Sequence, residues 1–279
     1  VYSSSYISAS NTTENTAPTV IYPNPADGSI DVELTLSQLS VDISDAEGDT
    51  MDWTIETSPN IGSNSGSSGN GTITCPVSGL QYDTTYTWYV NVTDGIDLTT
   101  AIYHFTTKTL NSPTGFTATA TSASQIDLSW TKSPDGDYTL IRYSTTGYPT
   151  SLTEGTFIYM DTTTSFSHTG LDGHTTYYYS AWAWNSTTEQ FSSTYVTASA
   201  TTQNTAPTIS NEYPTNGSTN IDPQPTCHID VSDSDGDTLT VYWYENTTGS
   251  WILRQTNSSV SSGSTVYWTY TQADQYNTK

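Results

Sequence analysis

The chain has 279 residues, 28 of them acidic and only five basic, for a net charge of −23. That field repels phosphate backbones and anionic lipid surfaces, which excludes nucleic-acid binding and charge-driven membrane attachment. No apolar run reaches the 18 residues or so of a membrane-spanning helix. Charged residues make up only 12% of the chain, so Thr and Ser carry the solvation beside 21 Tyr and 8 Trp. Thr, Tyr and Trp favour strands, and no segment shows helical periodicity, so the chain is expected to be all-β.

At the N-terminus, residues 2–19 (YSSSYISASNTTENTAPT) return almost unchanged as residues 191–208 (FSSTYVTASATTQNTAPT). A repeat in constant register marks an array of modules. In the second copy this stretch closes one module and opens the next. Residues 1–14 are therefore expected to be the terminal strand of a preceding or partner sandwich, with Val1, Tyr2, Tyr6 and Ile7 as its assembly residues.

The first full module spans 15–109. Val41-Ile43 and Tyr86-Trp88-Val90-Val92 alternate with period two, and Asp, Gly, Asn and Pro clusters separate such runs, which predicts short antiparallel strands in a β-sandwich. Between two strands lies Asp45-Ala46-Glu47-Gly48-Asp49. Carboxylates on alternate residues around a Gly suit a hard cation with six to eight oxygen ligands. The competing reading is plain turn chemistry with the acids facing water. Further on, Leu80-x-x-x-Thr84-x-Tyr86 forms a corner whose Tyr hydroxyl can return to backbone where the chain changes sheets.

The linker Lys108-Thr109-Leu110-Asn111-Ser112-Pro113 is short, lacks Gly and ends in Pro, so it predicts a restricted joint rather than a tether. The second module, 110–203, carries Ile126-Leu128-Trp130 on one strand and Ile141-Arg142-Tyr143 on the next. It then repeats the corner as Leu171-x-x-x-Thr175-x-Tyr177. Its acidic loop is shorter, Asp135-Gly136-Asp137. In Tyr177 to Trp184, an inward Tyr177 implies inward Tyr179, Ala181 and Ala183, and outward Tyr178, Trp182 and Trp184. An outward aromatic strip is a ladder under Arg142, a protein or glycan interface, or a stacking platform for sugars.

The third module, 204–279, follows Thr202-Gln203-Asn204-Thr205-Ala206-Pro207 and pairs Ile229 with Val231. It repeats the acidic loop in full as Asp233-Ser234-Asp235-Gly236-Asp237. Tyr276-Asn277-Thr278 aligns with Tyr82-Asp83-Thr84, so the last two strands of this sandwich are expected to be missing. Two explanations stay open: an excerpt of a longer array, or a subunit completed by a neighbour's donated strand.

The strand-borne Trp130, Tyr143 and the Tyr177 corner resemble the fibronectin type III family over the second module. The first and third modules are similar to immunoglobulin-like repeats of archaeal and bacterial surface proteins, through N-T-A-P-T and S-D-x-[DE]-G-D-T. The resemblance implies tandem sandwiches on a cell surface, in alternating order. Candidate metal residues are Asp45, Glu47, Asp49, Asp233, Asp235 and Asp237, with Ca2+ as the candidate cofactor. Candidate glycosylation sites are Asn11, Asn70, Asn91, Asn185, Asn216, Asn246 and Asn257.

Cys75 and Cys227 lie in different modules and are not expected to pair with each other. Catalysis has little support: His104, His168, His174 and His228 show no metal-ligand spacing, and no nucleophile elbow or phosphate-cradling loop appears. The expected function is a non-catalytic extracellular structural protein, a rod or filament whose partners are copies of itself, neighbouring repeats or glycans. The alternative is a carbohydrate-binding or adhesion region of a larger secreted protein.

Overall fold

The computed structural model describes residues 14–246 and 249–271, and every regular element in it is a strand. The predicted N-terminal strand lies outside the described residues, as do Val1, Tyr2, Tyr6, Ile7 and Asn11.

The first sandwich is built from β1 (Thr19–Asn24), β2 (Ser29–Val32), β3 (Gln38–Ser44), β4 (Met51–Ser58), β5 (Ser63–Ser68), β6 (Gly71–Pro76), β7 (Thr85–Thr93) and β8 (Leu98–Thr107). One sheet has the order β1-β3-β6 and the other β2-β8-β7-β4-β5, antiparallel except for β2 on β8. Alternation along each strand sends every second side chain inward. Leu39, Val41 and Ile43 of β3 thus meet Tyr86, Trp88, Val90 and Val92 of β7 in one core. Phe105 stacks on Tyr86 at 5.4 Å between ring centroids.

The second set is β9 (Thr114–Ser122), β10 (Gln125–Thr131), β11 (Tyr138–Ser144), β12 (Thr156–Asp161), β13 (Ser165–Thr169), β14 (Thr176–Asn185), β15 (Gln190–Phe191) and β16 (Val196–Thr201). Its sheets are β13-β10-β9 and β12-β11-β14-β15, with β16 also paired to β14. Ile126, Leu128, Trp130, Ile141, Tyr177 and Tyr179 form its core.

The third set is β17 (Thr208–Tyr213), β18 (Thr226–Ser232), β19 (Leu239–Glu245), β20 (Ile252–Val260) and β21 (Ser264–Thr269). It makes a β17-β18-β21 sheet and a β19-β20 pair. In the first sandwich β4 pairs with both β5 and β7, whereas β19 pairs only with β20 among the described residues. An open groove of about 560 Å3 runs along this face, lined by Ile209, Ile229, Val231, Leu239, Val241 and Trp243 among others.

The chain divides into two compact units, and the division does not follow the expected module boundaries. Unit one holds the first sandwich with Lys132–Thr139 and Trp182–Tyr195. Unit two holds Pro113–Thr131, Leu140–Ala181 and the chain from Val196 onward. Within unit one the linker contributes Leu110 to the packing. This linker residue is fully buried and clusters with Tyr82, Ala183 and Leu34.

Within unit two, His168 of β13 is 9% exposed and its Nδ1 lies 3.0 Å from the Tyr179 hydroxyl. Burial lowers its pKa below the ordinary value, because the charged ring loses hydration. The unfolded chain binds a proton near pH 6.5 that the fold refuses. Stability is therefore full above that pH and falls as the pH drops below it toward the depressed folded pKa. Thermal melts from pH 7.5 to 5.5 should show this loss, and His168→Gln, which can still bond Tyr179, should flatten it.

Candidate functional site: the acidic loops and the joints they hold

The two long acidic loops are the same structure built twice. Asp45 Oδ1 accepts the N–H groups of Glu47 and Asp49, both at 3.0 Å. Asp233 Oδ1 accepts those of Asp235 and Asp237 at 2.9 and 3.3 Å. Gly48 (φ 80°) and Gly236 (φ 77°) occupy the left-handed position that closes the turn. A polar side chain clamps the leading residue from the opposite side. Asn70 bonds both the N–H and the carbonyl of Asp45, and the Ser262 hydroxyl does the same for Asp233. Asp45 is 3% exposed and Asp233 6%. In each, the second oxygen, Oδ2, is buried with no hydrogen-bond partner among the described residues. In the shorter loop buried Ser133 takes the leading position, its hydroxyl 3.4 Å from the Asp135 N–H.

The acid preceding each Gly grips the linker that enters its module. Glu47 accepts from the N–H and hydroxyl of Thr16 at 3.2 and 3.0 Å. Asp235 accepts from the same two groups of Thr205. Asp135 takes the Nζ of Lys108 at 2.9 Å, which also reaches Glu33 at 2.8 Å. Glu33 and then Asp135 raise the Lys108 pKa, fixing its charge. Asp137 binds the Ser186 hydroxyl and N–H at 2.6 and 2.7 Å, and these bonds lower its pKa. The acid-Gly-Asp pattern is plain in the sequence, but its partners lie 27 to 31 residues away. For Thr16 and Thr205 the repeated N-T-A-P-T was the available signal.

The corners behave as their pattern predicts. The Tyr86 hydroxyl accepts the Gln81 N–H at 3.0 Å, and that of Tyr177 the Asp172 N–H at 2.9 Å. Each is braced by a buried Thr missed in the sequence. Thr107 bonds Gln81 and Thr84, and Thr202 bonds Asp172 and Thr175. The position two residues after the corner Leu differs between the modules. In the first it is Tyr82, 7% exposed in the Leu110–Ala183 cluster, with its N–H on Gln190 at 2.7 Å. In the second it is Gly173, where a side-chain carbon would collide with the Asp235 carboxylate. The next residue, His174, places Nδ1 3.3 Å from Asp237 Oδ1.

The outward aromatic strip needs correction. Tyr177, Tyr179, Ala181 and Ala183 are buried as expected, but so is Trp182, at 3% exposure. Tyr195 covers it at 5.0 Å, because the chain after β14 turns back over that face. Trp184 packs on Phe191 at 4.4 Å, and Tyr178 meets Tyr148 edge-on at 5.1 Å. Arg142 makes no ladder over the indoles. Its guanidinium donates to the carbonyls of Glu154 and Gly155 at 2.6 and 2.8 Å.

Among the sequons, Asn70, Asn216 and Asn246 are exposed, while Asn91, Asn185 and Asn257 are half-buried. Asn70 clamps Asp45, and Asn185 is tied to the Asp135 carbonyl at 2.7 Å, so neither amide stands free as an outward glycan site would. The thiols of Cys75 and Cys227 are free, and burial raises the pKa of both.

The family model described as a secretion system C-terminal sorting domain matches residues 20–70, which span β1 to β5. No curated protein is significantly similar in sequence. Similar solved structures include a mutant of FN3tt, 25% identical over 33% of this chain and 93% of that one, with a TM-score of 0.27. Domains A168-A170 of titin are 11% identical over 68% of this chain and 67% of that one, TM-score 0.31. A two fibronectin type III domain segment from chicken tenascin is 17% identical over 67% of this chain and all of that one, TM-score 0.32. At these TM-scores the assignment of tandem β-sandwiches rests on the chain's own strands. The sorting-domain match points to a secreted or cell-surface protein.

Proposed function

We propose that the chain is a non-catalytic structural segment of an extracellular filament or rod, in which successive sandwiches are held end to end. The observation that carries this reading is the repeated grip of a loop acid on the incoming linker: Glu47 on Thr16, Asp135 on Lys108 and Asp235 on Thr205. Buried Leu110 adds an apolar seat to the second of these joints. A linker that is both hydrogen-bonded and packed cannot swing as a Gly/Ser tether does. In this reading the open groove along β19 is filled by a strand with the alternation of β7, supplied by further chain or by a neighbouring sandwich. Tyr195 over Trp182 argues against a sugar platform there.

Small-angle scattering of the chain tests the rod. A compact globule of this length has a radius of gyration of roughly 19 Å. Three sandwiches end to end, each about 30 Å long at ~3.3 Å per strand residue, should give about 30 Å. Lys108→Ala should loosen its joint, broadening the distance distribution and shortening the maximum dimension. A wild-type value near that of the globule would refute the proposal.

A further inference from the structure

We infer that Asp233, Asp235 and Asp237 form a Ca2+ site beside the Gly173–His174 corner. One carboxylate oxygen from each of the three lies within 4.8 Å of the others, the only such acidic group among the described residues. Clustered acids alone prove little, since turns collect them. The second observation is the Oδ2 of Asp233, deeply buried and without a hydrogen-bond partner among the described residues. A buried carboxylate oxygen with neither donor nor cation is costly, and Asp233 Oδ1 is already spent on two N–H groups.

The second module shows what such a loop does when the chain supplies its own cation: the Lys108 ammonium sits on Asp135. The ion pairs among the described residues bring only a histidine, His174, to the 233–237 loop. Three converging carboxylate oxygens without sulfur donors suit a hard cation, and the irregular loop suits the flexible coordination of Ca2+ better than the strict octahedron of Mg2+. In the first module Asp45 repeats the buried, unpartnered Oδ2, and Glu47 holds Thr16 as Asp235 holds Thr205. Yet no three acids of that loop converge to within 4.8 Å among the described residues. The three ligands are therefore gathered only in the third. The site needs only its own loop, so it holds whether or not the sandwiches form a filament.

The test is calorimetric titration of the chain with CaCl2 after chelator treatment, with thermal melts in parallel. Binding in the 10⁻⁴–10⁻³ M range typical of extracellular modules is expected, with a rise in melting temperature that chelator reverses. Asp233→Asn should abolish binding. Because Asp233 also organises the turn, the partly exposed Asp237→Asn is the second variant, and it should weaken binding at least tenfold while melting like wild type in chelator. Asp45→Asn should leave this binding in place. No heat up to 10 mM Ca2+, binding that survives Asp233→Asn and Asp237→Asn, or equal affinity for Mg2+ would each overturn the assignment.

Discussion

Trp182→Ala should unfold part of this protein rather than silence a binding surface. The indole is 3% exposed and covered by Tyr195. Truncating a buried Trp to Ala removes its transfer free energy and leaves a cavity, at a cost of about 3–5 kcal/mol. For a sandwich of about 100 residues, each kcal/mol moves the melting temperature by roughly 4–8 °C. A loss well above ten degrees is therefore expected in circular dichroism or calorimetry. An exposed platform Trp would lose polysaccharide binding with its melting temperature unchanged, and that outcome would restore the sugar-binding reading.

Leu110→Ala should carry the second-largest penalty, about 2–5 kcal/mol for a fully buried Leu, although position 110 lies in a linker. Changes in an exposed tether usually stay within about 0.5 kcal/mol, so the measurement discriminates sharply. Leu110 packs with Tyr82 and Ala183. Its loss should lower the melting temperature measured by calorimetry. Leu110→Met, which keeps the volume, should recover most of the difference.

These two residues also mark where sequence reasoning stopped. Period-two alternation told which face Trp182 occupies, because a strand permits only two. It could not tell that Tyr195 would return to cover that face, since coverage is set by a separate stretch of chain. The tyrosine bonds of the corners at Tyr86 and Tyr177 were legible because each hydroxyl meets an N–H only five residues away. The bracing Thr107 and Thr202 lie 23 to 30 residues off and were missed. Arg142 was misplaced for the opposite reason: its partners are carbonyls 12 and 13 residues away, and backbone acceptors leave no mark in a sequence. The acidic loops fall between. Alternate carboxylates around Gly48 and Gly236 were visible, yet Asp45 and Asp233 turned out to be buried organisers of the turn, a difference that only depth reveals.

The exchange of Tyr82 for Gly173 at one equivalent corner bears on how such chains could be rearranged. One corner offers a bulky ring to a greasy seat; the other offers bare backbone to a carboxylate. Swapping them would push a phenol into Asp235 on one side and leave a hole beside Leu110 on the other. One corner position thus contributes to neighbour choice at each junction, and a shuffled gene would encode well-formed beads whose corners no longer match their seats.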